Sequence, residues 1–146
     1  VPISVLHKFD YFVSHILKFI HSRIGYPTPE MVGESVSTKF GILLSHCPDI
    51  EFIDKCIKEM QGKDSCNLEN LTRLIDKSRI KKGQKQIWGN IVETHKVDGE
   101  FVTTPMPLEY PEKVDALRKE VGLKPLEEYL KDAEELFIKI HRKGTV

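Results

Sequence analysis

The apolar residues of this chain change period once, and that change limits the fold to a helical body carrying a hairpin. From residue 4 to about 82 they recur at spacings of three and four, the pattern of helices with one buried face. From 86 to 97 and from 100 to 105 the chain turns to β-branched and aromatic types on either side of Asp98-Gly99. That dipeptide is the strongest short hairpin signal, because both central turn positions need positive φ. A two-residue turn there pairs Val97 with Glu100, Lys96 with Phe101 and His95 with Val102. After Pro105, Pro107 and Pro111 the helical period returns. The expectation is an α+β fold, mainly α, of about six helices and one antiparallel β-hairpin. The 146 residues suit one core, so residues 1–146 are read as a single domain.

Punctuation sets the helix limits. Residues 4–24 place Leu6, Phe9, Val13, Ile16, Leu17, Ile20 and Ile24 on one face before Gly25. Thr28-Pro29-Glu30 starts a second helix with Val32, Val36, Phe40 and Leu43 inward, ending near His46 ahead of Pro48. Asp49 and Asn67 are placed to cap the third and fourth helices. The third buries Phe52, Ile53, Cys56, Ile57 and Met60, and the fourth runs through Leu68, Leu71 and Ile75 until Gly83 closes it. Pro111–Val121 and Pro125–Arg142 complete the set, the last burying Leu126, Tyr129, Leu130, Ala133, Leu136, Phe137 and Ile140.

Charge and cysteine usage narrow the functional classes. Lys plus Arg (22) equal Asp plus Glu (22), so no global basic excess marks a nucleic-acid binder. Locally, six basic residues from Arg73 to Lys85 face only Asp76, which suits a phosphate-bearing ligand. Aromatic interleaving is limited to Trp88, so nucleic acid is not the expected partner. The stretch Glu109–Glu135 holds nine acids against five bases and could answer the basic run within the chain or in a second copy. No run approaches the roughly 18 apolar residues of a membrane span. Cys47, Cys56 and Cys66 are an odd set without a CxxC pair, which indicates neither a disulfide framework nor a zinc knuckle. They read as reduced thiols and favour a cytoplasmic location, while the first residue, Val1, leaves room for a removed leader. With His and Cys scattered, no metal and no cofactor are expected.

Two helix positions and one loop stand where chemistry could happen. Arg79 continues the stripe Leu68, Leu71, Ile75 at the next i+4 step, with Asp76 three residues before it. A guanidinium at an inward position either snorkels, pairs with Asp76 or binds an anion. His46 stands one i+3 step beyond Leu43 at the C-terminal end of the second helix, where it either caps carbonyls or serves as general acid or base. Directly after the basic run, Gly83 to Asn90 gathers Gln86, Trp88, Gly89 and Asn90 as candidate ligand-binding residues; the alternative is a hairpin entry with a core tryptophan and a bulge glycine.

The order of these pieces resembles an uncharacterised bacterial family of domains of unknown function, DUF6624. Its members read as a Gly-Trp-Pro-Thr turn, a helix with a Gln-His or similar pair, an Asp-Arg helix followed by Gly-x-x-Gln-x-Tyr-Gly-Thr-Gln, and Gly-Leu-x-Pro-Leu-x-x-Tyr. Here these are Gly25-Tyr26-Pro27-Thr28, Ser45-His46, Asp76 with Arg79, Gly83 to Asn90, and Gly122-Leu123-Lys124-Pro125-Leu126-Glu127-Glu128-Tyr129. The family's final glutamine is Ile91 here, and only Asp10 answers the acidic, glutamine-containing start of its first helix. An activity resting on either position would be altered. The resemblance implies a pocket and no particular reaction.

The expected function is a small-ligand-binding domain whose pocket prefers an anion, a phosphate or a carboxylate, with His46, Arg79 and Trp88 lining one cleft. One alternative is an enzyme of hydrolase or transferase type acting on a small anionic, nucleotide-like substrate. In it His46 moves the proton, Arg79 holds the anion and Asp76 orients one of them. The other alternative is a protein-interaction module, docking a protein partner or forming a homo-oligomer.

Overall fold

The structure, a computed structural model, describes residues 3–143. Their order is α1 (Ile3–Ile24), α2 (Pro29–Val32), α3 (Glu34–Leu44), α4 (Ile50–Gln61), α5 (Leu68–Lys81), β1 (Val92–Val97), β2 (Glu100–Pro105), α6 (Val114–Glu120) and α7 (Leu126–Lys143). The α+β, mainly α reading holds. The core lies among the first helices, where Leu17 of α1, Phe40 and Leu44 of α3, Ile53 and Met60 of α4, and Leu74 of α5 pack together. Cys56 is buried in it as its place in the α4 stripe requires. Both expected caps are present: Asp49 Oδ1 accepts from the Phe52 N–H at 3.0 Å, and Asn67 Oδ1 from the Asn70 N–H at 2.9 Å. Past α5, the Gly83 and Gln84 N–H groups close the helix on the carbonyls of Ile80 and Arg79.

The inward faces of the first helices differ from expectation. The second expected helix is two, because Gly33 adopts φ 82 and ψ 154, which no helical turn accommodates. The break resets the phase, so α3 turns Ser37, Phe40, Gly41 and Leu44 inward and leaves Val36 and Leu43 exposed. In α1 the inward residues are Ser14, Leu17 and His21, while Phe9, Ile16 and Ile24 face out; Leu6 has its side chain outside the described residues. A hydrogen-bonded pair anchors this rotation: His21 Nε2 lies 2.7 Å from Glu59 Oε1, with its ring edge-on to Phe52. A polar residue with a good partner can thus take an inward position from an apolar one.

The hairpin turns at Asp98 (φ 49) and Gly99 (φ 89) in the expected register, Val97 opposite Glu100 and Lys96 opposite Phe101. α7 lies on it, with Phe101 and Phe137 ring centroids 5.2 Å apart and Glu134 accepting from the Thr103 N–H at 2.7 Å. Two short strands are too narrow to cover the whole helix, so Leu136 and Ile140 are exposed rather than buried. Among the described residues no helix is long and apolar enough to cross a membrane.

Candidate functional site

β1 starts at Val92, not at 86, because the preceding residues serve another end. Asp76 of α5, 0% exposed, accepts from the backbone N–H groups of Ile87 (2.7 Å), Trp88 (3.2 Å) and Asn90 (3.1 Å) and from Asn90 Nδ2 (3.1 Å). Those donors are withdrawn from any strand ladder, and the chain curls around the carboxylate. Burial pushes the Asp76 carboxyl above its usual value, while the four N–H bonds, which favour the ionised form, oppose the rise. Gln86, equally buried, fastens the loop from inside. Its Nε2 donates to the carbonyls of Ile91 and Met106, and its Oε1 accepts from the Ile91 N–H. Gly89 turns the loop at φ 74, and a Cβ there would stand 2.9 Å from Leu126 Cδ1 of α7.

The loop's outer side is held by residues that follow the hairpin. Arg118 of α6, 1% exposed, donates from Nη1 to the Trp88 carbonyl and from Nε to the Lys124 carbonyl, each at 2.6 Å. Its guanidinium stacks 4.9 Å from the Tyr129 ring, and the Tyr129 hydroxyl donates to the Asn90 carbonyl at 2.9 Å. Burial lowers the Arg118 pKa, but a guanidinium remains charged in a protein. A cleft of about 230 Å³ opens beside it, walled by Glu69 and Arg73 of α5 and by Asn90, Arg118, Lys124 and Tyr129. Arg73 is paired with Glu69 at 3.0 Å, and Lys124 with Asp132 and Glu128 at 2.5 and 3.3 Å. Arg118 has no carboxylate within 4 Å among the described residues, and its Nη2 makes no hydrogen bond there.

A family model matches residues 5–140, under the description of a family of unknown function, DUF6624. The chain belongs to that family. No curated protein and no solved structure matches it. The pieces that carry the DUF6624 resemblance fall into two groups in space. Asp76, the 86–90 loop and the segment from Gly122 to Tyr129 meet at the cleft; Ser45-His46 does not. His46 is exposed beside a shallow apolar groove with Phe9, Asp10, Val13, Ile42 and Leu43.

The expected cleft of His46, Arg79 and Trp88 is therefore not formed. Arg79 bends back over the helix end, donating from Nε to the Lys85 carbonyl at 2.7 Å and lying 3.7 Å from Glu109. Its partner is not Asp76, whose oxygens are all turned to the loop. Trp88 reaches the site by its backbone, its N–H on Asp76 and its carbonyl on Arg118. Gln86 and Gly89 shape the loop, and Asn90 alone of the four loop candidates lines the cleft. The residue the sequence reading passed over is Arg118. The signal was the one used for Arg79: Arg118 follows the buried Val114 by one i+4 step.

Proposed function

We propose that this chain is a small-ligand-binding domain whose ligand is an anion, carrying a phosphate or a carboxylate, held in the Arg118 cleft. The observation that carries this reading is a fully buried guanidinium with no carboxylate within 4 Å among the described residues, where Asp115, Asp76 and Glu69 act on it only from farther away. Taking a charge out of water costs several kcal/mol unless it is paired, and two carbonyls and a ring face compensate only part of that. A phosphate or carboxylate at the free edge would supply the missing charge by planar, bidentate hydrogen bonding. Arg73 and Lys124 at the cleft are each ion-paired, with Glu69 and with Asp132 and Glu128, so the uncompensated positive charge there is that of Arg118, and Asn90 and Tyr129 supply polar contacts at the same wall.

The enzyme alternative loses support because its general acid or base, His46, lies on another surface and Glu69, the carboxylate of the cleft, is engaged by Arg73. Free thiols at Cys47, Cys56 and Cys66 favour the cytoplasm as the place of action. The test is a thermal-shift screen of inorganic phosphate, pyrophosphate, nucleotides and di- and tricarboxylates against the wild type, Arg118→Lys and His46→Ala. A ligand at 100 times its Kd should stabilise the wild type by about 2.7 kcal/mol. His46→Ala should respond equally, and Arg118→Lys at least tenfold more weakly. A wild type that no anion stabilises, or an equal response from Arg118→Lys, would refute the anion cleft.

A further inference from the structure

α1 is apolar on two sides. One side packs into the core through Leu17 and its neighbours, and the opposite side carries Val5, Phe9, Phe12, Ile16 and Phe19 in solvent, between 43% and 63% exposed. Their spacing of four, three, four and three residues is the heptad spacing that keeps a seam facing a second helix. The stripe runs about 21 Å along the helix. With about 200 Å² for an extended phenylalanine, the five side chains expose on the order of 500 Å² of apolar surface, beyond what isolated surface residues account for. Ile42 and Leu43 of α3, both exposed, extend the patch beside Phe9.

We propose that this face is where a second copy of the chain docks, the two α1 helices packing antiparallel across a two-fold axis. Two considerations select this occupant. The first is the area. Two such faces bury on the order of 1,000 Å² or somewhat more in total, the lower limit for a specific interface, so the dimer is reversible on dilution. The second is the pattern of side chains. In antiparallel alignment Phe12 of one copy meets Ile16 of the other and Phe9 meets Phe19, so these four residues are complementary to themselves about an axis near residue 14, while Val5 falls opposite Arg23 at the edge. The cleft at Arg118 lies on other elements and is not part of this surface.

Sedimentation equilibrium of the whole chain tests it, with Phe12→Asp as the disrupting variant and Leu136→Asp, an exposed apolar residue of α7, as the control. The wild type and Leu136→Asp should approach twice 16.8 kDa as concentration rises, and Phe12→Asp should stay at the monomer mass with an unchanged circular dichroism spectrum. A wild type that stays monomeric up to about 1 mM, or a dimer that Phe12→Asp leaves intact, overturns the proposal. So does a monomer that binds phosphatidylglycerol vesicles through this face, since the occupant is then a lipid surface. Should Phe12→Asp fail to fold, Phe19→Lys gives the same comparison from the other end of the stripe.

Discussion

Gly89 offers the sharpest test of how the loop is built, because two separable costs meet there. Replacing it with alanine places a side chain at φ 74, a backbone conformation worth roughly 1 kcal/mol against any residue with a Cβ. It also sets that Cβ 2.9 Å from Leu126 Cδ1, closer than real contacts allow, so the Leu126 side chain must shift where it packs against the loop beside Leu108. Overpacking of this kind costs about 1–3 kcal/mol, so Gly89→Ala should lose about 3 kcal/mol in all. Gly83 isolates the first cost: its φ is 73, yet nothing stands within 4 Å of its Cβ position. Gly83→Ala should therefore lose only about 1 kcal/mol. For a domain of this size these figures correspond to falls in Tm of roughly 10 °C and 3 °C. Urea melts with unchanged m-values should give the same ratio, and Leu126→Ala should offset part of the Gly89→Ala cost in a double-mutant cycle. If Gly89→Ala costs no more than Gly83→Ala, the loop is not held against α7 and the cleft wall has no fixed shape.

Asp76→Leu removes the acceptor of four N–H groups without opening space for water. It should cost about 3–5 kcal/mol and accelerate hydrogen exchange at Ile87, Trp88 and Asn90 before the α4 and α5 amides; protection that is lost uniformly would refute the local role. For Glu59, burial raises the pKa, but the Tyr26 N–H and His21 together outweigh it and hold the carboxyl below its usual 4.5. A lowered folded pKa means stability present above pH 4.5 and lost as pH falls through the folded value. The Tm gap between the wild type and Glu59→Gln, about 1 kcal/mol at neutral pH after solvent screening, should therefore close on acidification; a gap constant with pH would contradict the pairing.

What could be read from the sequence was whatever local chemistry decides. Asp98-Gly99 fixed the turn and hence the strand register, and Asp49 and Asn67 capped their helices because a side-chain oxygen one turn ahead of free N–H groups needs no tertiary help. Helix faces were another matter. On α1, periodicity alone cannot distinguish a stripe that meets the core from one that meets a partner, and the long-range His21–Glu59 contact chose between them. Gly33 shifted α3 by adopting a conformation that a periodic pattern does not encode. For the site, Asp76, Gln86, Gly89 and Asn90 stand out in the sequence only beside His46, Arg79 and Trp88 as residues of one cleft; the bonds of Asp76 and Gln86 run to backbone 5 to 20 residues away, so their shaping roles emerged only in three dimensions. Arg79 and Arg118 carry the same sequence signal. One sits at a helix end and bends over it to the Lys85 carbonyl, and the other is held against the Tyr129 ring.

The central claim is that the buried guanidinium of Arg118 awaits an anion, and arginine side-chain NMR addresses it directly. Titrating the wild type with pyrophosphate while following the arginine Nε–Hε resonances and the amides of His46, Asn90 and Gly122 to Lys124 separates the candidate sites in one spectrum. The prediction is a saturable shift at Arg118 and those amides, with Arg79 and His46 unmoved. A saturable shift centred on Arg79 or His46, or none at Arg118 with pyrophosphate or any anion of the screen, would contradict it.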